Sequence, residues 1–119
     1  TAGKFPVWLA PEQLRIITVN QEDSTVNFAQ EIRDSAKKLG LRVSVDNDNE
    51  SVGKKIRNAE VMKIPYTIVI GEKEIETNQV VPRIRSDMVV QPVNQSYGIE
   101  QFLNTVANEA KSRVSKTSL

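Results

Sequence analysis

Two short runs of apolar and β-branched residues, at 14–19 and 66–70, constrain this chain most. Strands apolar on both faces belong in the interior of a sheet covered by helices on both sides. The sequence between them supplies such a cover. Val26, Ala29, Ile32, Ala36 and Leu39 recur at three- and four-residue steps, after Asp23 or Ser24 as a cap and before Gly40 as a left-handed terminator. A second strand is predicted at 41–45. A short amphipathic helix from about 51 to 62 buries Val52, Ile56, Ala59 and Met62, stops before Pro65, and turns its cations outward. After Gly71, residues 73–77 and 80–85 read as two strands turning at Asn78-Gln79. A last helix carries Ile99, Phe102, Leu103, Val106 and Ala110 on one face. The order predicts an α/β fold: a mixed, mostly parallel five-stranded sheet covered by about three helices. Residues 86–95 carry the least pattern and read as a loop.

With 119 residues, 39% hydrophobic and 26% charged, the chain suits one domain over 1–119. Its lead-in, Thr1-Ala2-Gly3-Lys4, has no periodicity and reads as a linker remnant at 1–5. Residues 111–119 are too polar to stay docked and read as a flexible tail. Neither a spanning run nor a signal pattern is present, and there is no cysteine, so a soluble, cytoplasmic protein is expected.

The lack of both Cys and His removes thiolate nucleophiles, imidazole bases, hydrolytic triads and Cys/His zinc sites. Asp46, Asp48 and Glu50 read as solvated loop charges rather than a catalytic pair. A nucleotide-binding α/β domain would carry a Gly-rich turn after its first strand, where this chain has Asn20-Gln21-Glu22-Asp23. The formal net charge is +1, so attraction for nucleic acid must come from local patches. One comprises Lys54, Lys55, Arg57 and Lys63 against the single anion Glu60, and a second comprises Arg83 and Arg85.

Three blocks in order give the chain a family likeness. They are Phe-Pro-Val-Trp-Leu-Ala-Pro-Glu-Gln at 5–13, Asn-Glu-Ser-Val-Gly-Lys-Lys-Ile-Arg at 49–57, and Ile-Pro-Tyr at 64–66. Together they resemble the C-terminal anticodon-binding domain of the threonyl-tRNA synthetases, and the likeness covers most of the chain, from about residue 3 to 85 and more loosely through the last helix. The Trp-Leu-Ala-Pro-x-Gln block is the one distinctive of threonine enzymes among class II synthetases. Ser51 and Lys63 depart from the pattern, standing where many relatives carry Lys and Arg, and no Gly-containing basic turn follows Arg85.

The resemblance implies a class II anticodon-binding fold that recognises the threonine anticodon, whose second and third bases are guanine and uracil. Carried over by motif, the base-reading positions fall on Asn49, Glu74 and Arg83. Lys54, Lys55, Arg57, Lys63 and Arg85 are the expected RNA backbone contacts. The fragment itself is expected to bind and not catalyse, with no cofactor of its own. ATP, magnesium, zinc, aminoacylation and a homodimer interface would belong to the rest of the parent ligase, and neither a membrane nor DNA is an expected partner.

The residue types suit that task. Guanine presents N1–H and N2–H₂ donors to a carboxylate such as Glu74, and O6 and N7 acceptors to a guanidinium such as Arg83. The amide of Asn49 matches O4 and N3–H of uracil, and splayed loop bases expose these edges. Plainer readings stand beside these. Asn49 would cap the second helix or sit in a turn, Glu74 and Arg83 would form a cross-strand ion pair, and the cations would line a solvated helix face. Trp8, Phe5 and Tyr66 read as packing residues rather than stacking platforms. A protein-interaction domain of the same fold, without RNA readout, is the alternative function.

Overall fold

The computed structural model describes residues 12–84 and 96–112. Phe5, Trp8, Arg85, the linker reading of 1–5, the loop reading of 86–95 and the tail beyond 112 lie outside the described residues.

Strand β1 (Leu14–Thr18) is buried along its whole length, with even Arg15 only 8% exposed. Helix α1 (Asp23–Lys38) follows and buries Thr25, Ala29, Ile32 and Ala36 on one stripe. It starts one residue after Glu22 and ends in a Schellman arrangement. The Gly40 N–H donates to Lys37 O and the Leu41 N–H to Ala36 O, with Gly40 at φ +85° as expected. Strand β2 (Val43–Asp46), helix α2 (Val52–Val61) and strand β3 (Tyr66–Ile70) complete a doubly wound unit. Both β2 and β3 lie parallel to β1, in registers Leu14↔Val43 and Leu14↔Tyr66.

After β3 the chain departs from the expected hairpin. Helix α3 (Glu72–Thr77) replaces the strand read at 73–77, and strands β4 (Gln79–Val80) and β5 (Arg83–Ile84) enter different sheets. The local chemistry explains the helix. Gly71 is its N-cap, the Glu74 carboxylate accepts the Gly71 N–H at 2.9 Å, and Glu72 and Glu74 place negative charge on the first turn. Alternation in Lys-Glu-Ile-Glu-Thr misled because Ile75 is its one apolar residue and Glu and Lys favour helix. Asn78, read as a hairpin turn, is the left-handed C-cap of α3 at φ 55°.

Among the described residues the main sheet is mixed and mostly parallel, with four strands in the order β2-β1-β3-β5 and β5 antiparallel, the segment read as a strand at 73–77 being helical. Strand β6 (Tyr97–Gly98) pairs with β4 in a separate ribbon and leads into helix α4 (Ile99–Ser112), which includes Lys111 and Ser112 of the expected tail. Among the described residues there are four helices where about three were expected.

Side-chain alternation divides the sheet. Leu14, Ile16, Tyr66, Ile68 and Ile70 face α1 and α4, meeting Ala29, Ile32, Phe102 and Val106 in one core. Tyr66 is fully buried, edge-on to Phe102 with ring centroids 5.7 Å apart, and its hydroxyl donates to the buried Glu109 carboxylate. Tyr66 is the packing anchor expected. Residues 15, 17, 67 and 69 point to the opposite face, which α2 covers.

Candidate nucleic-acid interface

Helices α1 and α2 leave the neighbouring strands β1 and β2 toward opposite faces, and α/β sheets present a crevice at the C-terminal ends of strands where this occurs. Three turns meet at that edge. In the turn after β2, the Asp48 N–H donates to Asp46 Oδ1 at 3.3 Å and the Glu50 N–H to Asp48 O at 2.9 Å, leaving Asn49 exposed. In the turn after β1, Gln21 Nε2 donates to Asn47 O at 2.8 Å and ties the two turns together. In the turn after β3, Gly71 approaches so closely that a Cβ there would lie 3.0 Å from Val19 Cγ2.

Asn49 does not cap α2. Ser51 does, its hydroxyl accepting the Lys54 N–H at 3.2 Å, so the amide of Asn49 carries no capping duty. Glu74 is half-buried, with Oε1 engaged by the Gly71 N–H and the carboxylate anchored beside the same edge. Arg83 lies elsewhere. It pairs with Thr67, three residues before Ile70, roughly 10 Å down the strand from that edge at about 3.3 Å per residue. Its side chain is on the α2 face, Nη2 stands 4.0 Å from Glu60 Oε1, and both groups are more than half exposed. That distance and exposure make a weak ion pair. The cross-strand pairing of Glu74 with Arg83 does not form, since Glu74 is on a helix.

The expected backbone contacts divide. Lys54 is exposed at the start of α2 and paired with Glu50 at 3.0 Å, and Arg57 is exposed one turn on. Lys63 is half-buried and holds φ 59°, closing α2 with its N–H on Glu60 O while the Ile64 N–H reaches Ala59 O. Lys55 is a correction. It is 1% exposed and its Nζ donates to Thr18 O at 3.0 Å, so it faces the sheet and cannot touch an RNA phosphate. The helical wheel hid this because Lys55 falls at i−4 from Ala59 on the buried stripe, and a lysine there was read by its charge. Met62, expected inside, is 58% exposed beyond the last turn. The Thr18 and Gln21 links were also missed, since only the fold brings these segments together.

On the β2 side a cleft of about 430 Å³ is lined by Glu12, Arg15, Asp46, Asp48 and Met62, among others. Arg15 is held by Glu12 at 2.9 and 3.1 Å, and the Ser44 hydroxyl also donates to Glu12. Its carboxylates outnumber its one cation, which disfavours phosphate in that cleft.

A family described as the anticodon binding domain matches residues 13–109. A threonine–tRNA ligase of Chlamydia pneumoniae is 44% identical over 117 residues, covering 98% of this chain and 17% of that protein. The Staphylococcus aureus threonine–tRNA ligase is 52% identical over 80 residues, covering 67% of this chain and 12% of its own length. The chain thus spans less than a fifth of these relatives. Among solved structures, the RNA binding domain of threonyl-tRNA synthetase from Cryptosporidium parvum superposes with a TM-score of 0.78 at 27% identity, covering 99% of this chain and 27% of that one. Prolyl-tRNA synthetase from the same organism gives 0.71 at 25% identity, covering 92% and 25%.

Proposed function

The chain belongs to the anticodon binding domain family, and from that membership we propose that it recognises the guanine and uracil of a threonine anticodon on behalf of a threonine–tRNA ligase. The observation that carries this reading is that the turns after β2 and β3 flank the turn after β1 at one edge of the sheet, the first tied to it by Gln21 on Asn47 O and the second packed on Val19 through Gly71. Asn49 is presented in the first of these turns without a capping role, and Glu74 is held at the other by the Gly71 N–H. Asn49 pairs with uracil O4 and N3–H, and the Glu74 carboxylate accepts from guanine N1–H and N2–H₂. Arg83, free of any strong ion pair, extends along the α2 face to the acceptor edge of the guanine or to a flanking phosphate. Lys54 and Arg57 on the outer face of α2 hold the backbone without reading sequence.

The parent ligase, acting in the cytoplasm as a homodimer, aminoacylates the bound tRNA. ATP, magnesium and zinc serve that reaction outside this domain. The similarity to threonine–tRNA ligases supports the assignment to such a parent enzyme.

Titration with a threonine anticodon stem-loop, beside loops altered at the guanine or at the uracil, tests the reading. A preference of roughly 1–3 kcal/mol for each correct base is expected. Equal, salt-sensitive binding to all loops would refute base readout and leave only a basic surface.

A further inference from the structure

A buried lysine lies beneath the edge where Asn49 and Glu74 sit. Lys55 is 1% exposed, its Nζ donates to Thr18 O at 3.0 Å, and it joins none of the ion pairs found among the described residues. Burying an ammonium is costly unless its protons are accepted, so such a group persists where its placement has an effect. Its acceptor is the hub of the edge. Thr18 is paired with Ile70 in the β1–β3 ladder, its Oγ1 reaches Asp46 O at 3.5 Å at the end of β2, and the next residue, Val19, donates its N–H to Ile70 O at 3.1 Å. From Ile70 the chain passes directly to Gly71, whose N–H holds Glu74. From Asp46 it passes to the turn bearing Asn49 and then to α2, the helix from which Lys55 itself projects.

We propose that Lys55 is a positioning residue for base recognition: its buried ammonium ties α2 to the end of β1 and so sets the Asn49 turn in register with the Gly71 turn that holds Glu74. The inference rests on the anticodon reading above. It differs from a phosphate role, because a side chain sealed inside the fold releases no counterion and leaves the salt dependence of RNA binding unchanged. Two hydrogen-bonding side chains on separate elements read two adjacent bases together only while the spacing between those elements is held.

The experiment compares the 119-residue chain with Lys55→Met, which keeps the apolar stem, and Lys55→Arg, which keeps a donor, in binding the threonine anticodon stem-loop and the two base-altered loops at two salt concentrations. Lys55→Met is expected to lose about tenfold of the preference for the correct loop with its salt slope unchanged, and Lys55→Arg to recover part of it. A folded Lys55→Met that keeps full preference overturns the inference, as does one that loses affinity for all loops equally with a shallower slope. Failure of the unaltered chain to distinguish the loops overturns the anticodon reading and the inference with it, and is recognised because no substitution is involved. Should Lys55→Met unfold, the nitrogen resonance of the Lys55 ammonium in the unaltered chain decides. A shift on adding the correct loop, absent with the altered loops, is expected, and an unmoved resonance overturns the proposal.

Discussion

Glu74 serves two demands with one carboxylate: it holds the N-terminus of α3 through Gly71 and, on the reading above, presents an acceptor to guanine. Substitution separates them. Glu74→Gln retains an oxygen for the Gly71 N–H, so stability is expected to change by less than about 0.5 kcal/mol, while preference for guanine falls by roughly 1–3 kcal/mol. Glu74→Ala loses both, adding about 1 kcal/mol of destabilisation measurable in denaturant melts. A Glu74→Gln variant with undiminished guanine preference would remove Glu74 from the base-reading set. Asn49 is the contrasting case, since its amide carries no structural load. Asn49→Ala is expected to leave the melting curve unchanged and to erase preference for uracil, whereas Ser51→Ala is expected to cost about 1 kcal/mol of stability by uncapping α2.

Helices α1 and α2 end in the same hydrogen-bond pattern, but one places Gly40 at the left-handed position and the other Lys63. A Cβ in that conformation is strained, so Lys63→Gly is expected to raise stability by up to about 1 kcal/mol, as read by chemical denaturation. An unchanged or lowered midpoint would mean that the Lys63 side chain contributes more than its backbone costs. The two helix ends also show what a sequence discloses. Gly40 announces its conformation, and the three- and four-residue recurrence through Ala29, Ile32 and Ala36 announces α1. Nothing in Lys63 does so, because its φ follows from where Ile64 must go. The parallel strands were legible for the same reason as α1: their apolar residues have no other place to be buried. Helix α3 was not, since six residues with one apolar side chain fit two periods, and a single backbone-to-carboxylate bond from Gly71 decides between them. Of the candidate site, the turn bearing Asn49 was legible between β2 and α2, whereas the segment bearing Glu74 reads as a strand and is a helix. The burial of Lys55 and the placement of Arg83 were not legible, because both depend on which face of the sheet a side chain meets.

At the scale of the whole molecule, the core on the α1 and α4 side carries the stability. Phe102 is fully buried against Tyr66, so Phe102→Ala is expected to cost roughly 3–5 kcal/mol, enough to unfold much of the population at physiological temperature. An observed loss under about 1 kcal/mol would show that α4 contributes little to holding the sheet. The arrangement of the sheet governs also how the chain reaches this state. Strand β1 is central yet is made before both of its neighbours, and its partner β3 arrives only at Tyr66. During synthesis, therefore, this apolar strand emerges before either neighbour and waits for about 50 further residues before its ladder with β3 can close, a separation that slows folding and favours aggregation in the interval. A nascent chain halted after α2 is expected to remain protease-sensitive, one extended through β3 to gain its first protection, and one extended through α4 to gain the remainder, since Phe102 and Val106 complete the core.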